Sequence, residues 1–213
     1  MAYSSVLAGM DLLPVGVEDS VRLEQLIWTE QDEALLKRFA SLVEHAETIP
    51  LTRLGLQIAQ AEYPDLLIDA VEEKFAKIAD EVNKILPPEA SDGEKITALN
   101  HYLFEVLSFK GDDIGYQDPK NTYLNDVLRR RTGLPISLSI LYLDVAGRLS
   151  LSMIGVGLPG HFILRYSGSG TPEDVYVDPF HDGRVLTRRE CEELVARLTG
   201  GQLPWHDDYL REV

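Results

Sequence analysis

Hydrophobic positions in the first half of the chain recur every three to four residues, which is the spacing of amphipathic helices. The helices predicted from this pattern span about 20–47, 51–61 and 66–86. Pro87-Pro88 ends the third helix, and Ser91 and Glu94 have the spacing of a capping box, so a fourth helix is predicted to begin there. Residues 1–110 are therefore predicted to form a helical N-terminal region.

A nearly all-apolar helix is predicted in the second half of the chain. Asn121 is a suitable N-cap for a short helix through Leu128, which Gly133 is predicted to end. Pro135 then suits the first turn of a helix that runs to about Leu149. Because this last helix is apolar on almost every side, we expect protein to surround it at the centre of the fold.

After the central helix, the hydrophobic period changes from about four residues to two, as in β-strands. The predicted strands span 153–157, 161–166 and 175–178. Residues 167–174 between the last two strands read SGSGTPED, a composition typical of turns, so an antiparallel meander is predicted. The fold class is therefore α+β, with residues 111–213 as the core region that contains the sheet.

A last helix is predicted from the capping-box pair Thr187 and Glu190 to Gly200-Gly201. Its first turn contains Cys191, the single cysteine of the chain, so no internal disulfide is expected and a reducing compartment is permitted. We interpret Cys191 as a small, half-buried hydrophobic residue.

The charge composition argues against two classes of binding partner, nucleic acid and membranes. The 213 residues carry 35 acidic and 20 basic side chains, a formal charge of −15, which would repel nucleic acid and anionic lipid. No secretory signal is predicted, and the sequence has no run of about eighteen apolar residues that would predict a membrane span. We therefore predict a cytoplasmic protein that binds neither nucleic acid nor membranes; the sequence carries no prediction of oligomeric state.

One pair of side chains is placed for acid–base chemistry. If 161–166 and 175–178 form one hairpin, His161 and Asp178 lie at the same end and can touch. A carboxylate bonded to an imidazole orients it as a base beside a nucleophile. The alternative is that each side chain caps a local turn. His181, before the turn Asp182-Gly183, can lie near the same site.

Most of residues 50–195 is covered by five segments, LGLQIAQAEYPDL, YQDPKNTYLNDVL, RRRTGLPISLSILYLDVAGRLSL, GVGLPGHFILRY and VYVDPFHDGRVLTRREC. Together they resemble segments of a known family, the bacterial SirB-type, transglutaminase-like core family of the transglutaminase-like superfamily. The resemblance implies a papain-like core, made of the central helix and a small antiparallel sheet, with the helical region packed on it.

The resemblance also implies a Cys-His-Asp triad, of which His161 and Asp178 match the second and third members. The nucleophile should fall near residues 135–137, where there is no cysteine, and Ser137 has the only hydroxyl. Ser137 is either a nucleophile activated by His161 or, in the alternative we favour, a residue that bonds backbone groups in the first helical turn.

Polar residues near the start of the second region form a second candidate site. Asn121, Tyr123 and Asn125 either support the helices around them or line a groove next to His161 that binds an extended peptide or acyl group, with Gly160 in the adjoining turn.

The function predicted from these features is a non-catalytic module that binds a protein or peptide partner or has a regulatory role. The rival is a serine-dependent hydrolase or acyltransferase that uses Ser137, His161 and Asp178. No metal or other cofactor is predicted, because His45, His101 and His206 share no metal-ligand spacing with each other or with Cys191.

Overall fold

A computed structural model describes residues 49–168 and 175–213, together with Lys37, Ala40 and Ser41. Apart from these three residues, the helix predicted over 20–47 lies outside the described residues, as does the greater part of the turn at 167–174. Everything described from residue 49 onward belongs to one compact unit, Ala46–Val213, whereas Met1–His45 is a separate unit that is almost wholly undescribed.

The helices follow the predicted pattern closely. They are α1 (Leu51–Ala59), α2 (Ile68–Ile85), α3 (Asp92–Asn100), α4 (Leu124–Arg130), α5 (Pro135–Arg148) and α6 (Arg188–Leu198). A π-helical turn, His101–Val106, continues α3, and short 3₁₀ turns occur at Pro119–Asn121, Pro179–His181 and Asp207–Leu210. None of the helices in this part of the chain combines the length and apolarity needed to cross a lipid bilayer.

Two sheets occur in the described residues. The strands are β1 (Lys110–Gly111), β2 (Thr132–Gly133), β3 (Met153–Leu158), β4 (His161–Tyr166), β5 (Tyr176–Asp178) and β6 (Arg184–Leu186). The first two pair in parallel, and the other four form an antiparallel sheet in the order β3-β4-β5-β6. The predicted meander is confirmed, and β6 and the β1–β2 pair are additions that are too short to show a period of two.

Both predicted capping boxes are confirmed. At the start of α3, the backbone N–H of Ser91 donates to Glu94 at 2.8 Å, and the N–H of Glu94 donates to the Ser91 hydroxyl at 3.3 Å. Thr187 and Glu190 make the same reciprocal pair at the start of α6, at 2.9 and 3.3 Å. These contacts satisfy N–H groups that the first helical turn leaves free.

The predicted ends of α4 are wrong. Its N-cap is Tyr123, because Asn121 closes the preceding 3₁₀ turn, which the Asp118 side chain caps. Its C-terminal end is at Arg131, which adopts the left-handed conformation at φ 57°. Gly133 does not end the helix and instead pairs with Gly111 in the parallel sheet.

The antiparallel sheet lies between α5 and α6. Alternate residues along β4 and β5 point to opposite faces, as the pleat requires. Leu164 and Val177 join the main core, which α5 shares through buried residues such as Leu141 and Val145. The other face forms a second core with α6, whose members include Val156, Ile163, Tyr176, Cys191, Leu194 and Val195. This packing fixes the hairpin whose end carries the predicted site.

Candidate functional site

The predicted contact between His161 and Asp178 is present. His161 opens β4 and Asp178 closes β5, and the imidazole Nε2 lies 2.8 Å from the carboxylate Oδ2. Since Leu164 pairs with Val177, the two residues are diagonal neighbours in the sheet, still within side-chain reach. Only 5% of the His161 side chain and 3% of the Asp178 side chain are exposed, so water screens the pair weakly.

Asp178 is held rigidly by its own turn. Its Oδ1 accepts the backbone N–H groups of Phe180 at 3.1 Å and His181 at 3.3 Å. Burial raises the pKa of this carboxyl, but hydrogen bonds and charge from His161, and then from His181, outweigh burial, so the pKa lies below its ordinary value. Asp178 is therefore a carboxylate at neutral pH.

A second histidine contacts the same carboxylate oxygen. His181 Nδ1 lies 2.7 Å from Asp178 Oδ2, and about half of the His181 side chain is exposed. The rings of His161 and His181 have centroids 5.4 Å apart. From the sequence, His181 is expected only to lie near the site. Its contact with Asp178 could have been predicted from their three-residue spacing across a short turn.

Phe180 separates this cluster from the parallel sheet. Its ring stands edge-on to His161, with centroids 5.9 Å apart. A Cβ built on Gly111 would lie 2.6 Å from both the ring and the carbonyl oxygen of Phe180, so glycine is needed for this approach. Sequence reasoning missed both residues, because only the unpredicted pairing of β1 with β2 brings Gly111 to the site.

Ser137 is bonded to backbone groups. Its hydroxyl donates to the carbonyl oxygen of Asn121 at 2.6 Å, and lies 3.2 Å from the Leu134 carbonyl. It also accepts the Leu134 N–H at 2.9 Å. No hydrogen bond joins Ser137 to His161 among the described contacts.

Cys191 lies in the interior of the protein. Its side chain is fully buried in the second core, more deeply than predicted. Burial, and then the negative charges of Glu190 and Asp178, raise the pKa of the Cys191 thiol to about 12. A thiol with such a pKa is almost entirely protonated at neutral pH and nucleophilic attack requires the thiolate.

The residues predicted to line a binding groove have different surroundings. Asn121 is fully buried, and its amide donates to Asp112 at 2.9 Å and to the Gly115 carbonyl at 2.8 Å. Tyr123 packs edge-on against Tyr63, with ring centroids 5.7 Å apart.

Asn125 is half-buried on α4, and its side-chain oxygen has no hydrogen-bond partner among the described residues. Gly160 has a φ of +79° in the turn before β4, and a Cβ there would lie 3.9 Å from Leu198 of α6. The described contacts therefore place Gly160 beside α6, whereas Asn121 supports the loop before α4.

A cavity of about 330 Å³ opens beside the histidine and aspartate cluster. Its lining residues are Asp178, His181, Arg184, Leu186, Glu190, Glu193, Leu194, Arg197 and Leu198. Arg184 is paired with Glu190 at 2.7 Å, and no ion pair involving Arg197 occurs in the described part of the chain. A larger depression, about 780 Å³, lies along α5 and β3 and contains neither His161 nor Asp178.

The sequence profile of the transglutaminase-like superfamily matches residues 69–213. The chain belongs to this superfamily. The match covers α5, the whole antiparallel sheet and α6, so the transglutaminase-like domain contains the cluster of His161, Asp178 and His181. Its mixture of helices with a small antiparallel sheet agrees with the α+β class predicted from the sequence.

Two relatives illustrate the similarity of this chain to other proteins. A UPF0162 protein of Xylella fastidiosa is 40% identical over 166 residues, which cover 74% of this chain and 56% of that protein. Human F-box only protein 21 is 34% identical over 167 residues, which cover 70% of this chain and 26% of that protein. The chain thus spans about half the length of the bacterial relative, and no solved structure matches it.

Proposed function

We propose that this transglutaminase-like domain has no catalytic nucleophile and acts as a binding or regulatory module for a protein or peptide. A papain-like arrangement of α5 against the sheet, and membership of the SirB-type family, are parts of the same proposal. The observation that carries it is the hydroxyl of Ser137, which donates to Asn121 O at 2.6 Å.

The hydrogen bonds of the Ser137 hydroxyl bear on whether this serine can act as a nucleophile. A serine has one proton to donate, and a serine nucleophile must give that proton to a base. Ser137 gives it to a backbone carbonyl and accepts the Leu134 N–H as well. Attack by Ser137 would first have to break contacts that hold the start of α5, which supports the non-catalytic function over the serine hydrolase.

The cavity beside Asp178 and His181 is the proposed binding surface. Its walls combine apolar Leu194 and Leu198 with charged side chains of both signs. Arg197 is exposed and can pair with a carboxylate of a peptide. Gly160, close to Leu198, forms part of the same surface and keeps its predicted binding role, whereas Asn121, Tyr123 and Asn125 are proposed to support it indirectly.

The relatives are consistent with a module that is joined to other segments. The region shared with human F-box only protein 21 is only 26% of that protein. A fold can be kept while its chemistry is lost, so a domain that forms a minor part of a longer chain can serve in recognition. The free, buried Cys191 also suits a cytoplasmic location, where thiols stay reduced.

The absence of a serine nucleophile is tested with a fluorophosphonate probe. We expect no mass shift after incubation of the native protein with the probe, and no difference between the native protein and Ser137→Ala. Labelling of Ser137 that disappears in both Ser137→Ala and His161→Ala would instead establish the serine hydrolase.

The binding surface is tested by capture from a native extract with matched charge reversals. Arg197→Glu changes the cavity wall, and Arg211→Glu makes the same change at an exposed arginine that pairs with Asp208. We expect a protein retained by the native chain and by Arg211→Glu to be lost with Arg197→Glu. Equal retention by both variants would exclude this cavity as the binding surface.

A further inference from the structure

Three metal-ligating side chains converge at the end of the hairpin. His161, Asp178 and His181 each offer one ligand atom, and these atoms all lie within 4.8 Å of one another. His161 Nε2 and His181 Nδ1 both contact Asp178 Oδ2. They come from the start of β4, the end of β5 and the 3₁₀ turn after it, so only the folded hairpin brings them together. Two imidazole nitrogens and one carboxylate oxygen form a donor set that suits divalent transition metals.

We propose that His161, Asp178 and His181 bind one Zn²⁺ ion, with a coordination position left open for water or for a group of a bound ligand. Zinc is the choice because it accepts mixed nitrogen and oxygen donors in a small tetrahedral site. Three protein ligands with one open position are the arrangement of zinc sites that exchange a ligand.

The spacing of the donors is close to what the ion needs. Bonds of about 2.0–2.1 Å at tetrahedral angles separate ligand atoms by roughly 3.3 Å. The two nitrogens lie 2.8 and 2.7 Å from the shared oxygen, so these two separations have to lengthen by about half an ångström. His181 can provide this movement because about half of its side chain is exposed, whereas His161 is fixed among buried neighbours.

The carboxylate is already oriented for such a bond. Two backbone N–H groups hold Asp178 Oδ1, which leaves Oδ2 facing both imidazoles. Outer hydrogen bonds of this kind fix a ligand and reduce the cost of organising a metal site. On binding, zinc would replace the N–H contacts to Oδ2, and each imidazole would carry its proton on the other ring nitrogen.

Access and charge support the same assignment. The cavity of about 330 Å³ reaches Asp178 and His181 from solvent. The formal charge of −15 attracts cations to the protein as a whole. This site does not depend on the proposed lack of a nucleophile, because it rests on the three side chains alone.

The test is zinc titration of the tag-free, metal-depleted protein in competition with a chromogenic zinc indicator. We expect one equivalent bound per chain and at least a tenfold weaker affinity in His181→Ala. His101→Ala is the matched control, since His101 is also about half exposed and pairs with a carboxylate, that of Glu105, at 2.9 Å. The affinity of this control should equal that of the native protein.

Cobalt substitution supplies an independent signature. Co²⁺ bound to the native protein should give visible absorption of a four-coordinate site, which is lost in His181→Ala and in Asp178→Asn. Circular dichroism of each variant shows that loss of metal is not loss of fold. No zinc binding by the native protein, or zinc binding that survives His181→Ala, would overturn the proposal, whatever the phosphonate experiment shows.

Discussion

The hydroxyl of Ser137 lies 2.6 Å from the carbonyl oxygen of Asn121, and this contact joins the first turn of α5 to the loop before α4. Both residues are buried, and the Leu134 N–H completes the cluster. The serine at the position where a nucleophile is expected thus connects two parts of the backbone, and a hydrogen bond between buried groups is costly to break.

Replacement of Ser137 should therefore reduce stability. We expect Ser137→Ala to lower the free energy of unfolding by about 1–3 kcal/mol, because buried backbone groups lose a partner. Urea denaturation measures this change, with the slope of the transition compared between variants.

Ser139→Ala is the matched control on the same helix. Ser139 is fully buried, but its hydroxyl has no hydrogen-bond partner among the described residues. Its removal should change stability by less than about 1 kcal/mol. Equal losses of unfolding free energy in the two variants would show that the backbone contacts of Ser137 do not stabilise the fold.

The Cys191 thiol should be unreactive in the folded protein. Its full burial and a pKa raised to about 12 leave almost no thiolate at pH 8. We expect labelling by a disulfide reagent to be slower than in urea-unfolded protein by roughly a hundredfold or more. Fast labelling of the native protein that His161→Ala abolishes would instead identify Cys191 as a nucleophile activated by His161.

Local sequence patterns predict most of the helices and strands of the fold. The capping boxes at Ser91 and Thr187 mark helix starts, and the change of period after α5 marks the strands. The contact of His161 with Asp178 follows from the hairpin alone. These features depend on residues close in sequence or on one pairing of neighbouring strands.

Other features depend on long-range packing, which no local pattern reports. The left-handed Arg131 ends α4 because the next residues pair with β1, about twenty residues earlier in the chain. Asn121 is buried and donates hydrogen bonds to Asp112 and Gly115, although its sequence context predicted a helix cap. The role of Gly111 beside Phe180 likewise depends on the parallel pair.

Gly111→Ala should destabilise the end of the fold that carries the site. The new Cβ would come within 2.6 Å of the Phe180 carbonyl oxygen, which belongs to the turn that holds Asp178. We expect a loss of about 1–3 kcal/mol in the free energy of unfolding, because the backbone must shift to admit the methyl group.

Gly93→Ala is the control for this substitution. A Cβ at Gly93, in the first turn of α3, would meet no atom within 4 Å. Alanine is the better helix former, so this variant should gain up to about 1 kcal/mol in urea denaturation. A neutral Gly111→Ala would show that Phe180 can move without cost.

The capping box of α6 should make stability depend on pH. The backbone N–H of Thr187, then Arg184 and the Thr187 hydroxyl, lower the pKa of Glu190 to about 2 from its ordinary 4.5. Because the pKa is lower in the folded state, the stabilising effect is complete above about pH 4.5 and is lost as the pH falls towards 2. Glu190→Gln should be less stable than the native protein at pH 7, and this difference should shrink below pH 4.5.

Glu192→Gln is the control variant. It removes a charge that pairs with Arg188 at 3.5 Å on the same helix and leaves the capping box intact. Urea denaturation of the three proteins between pH 7 and pH 3 checks the prediction, and a difference for Glu190→Gln that stays constant over this range would contradict it.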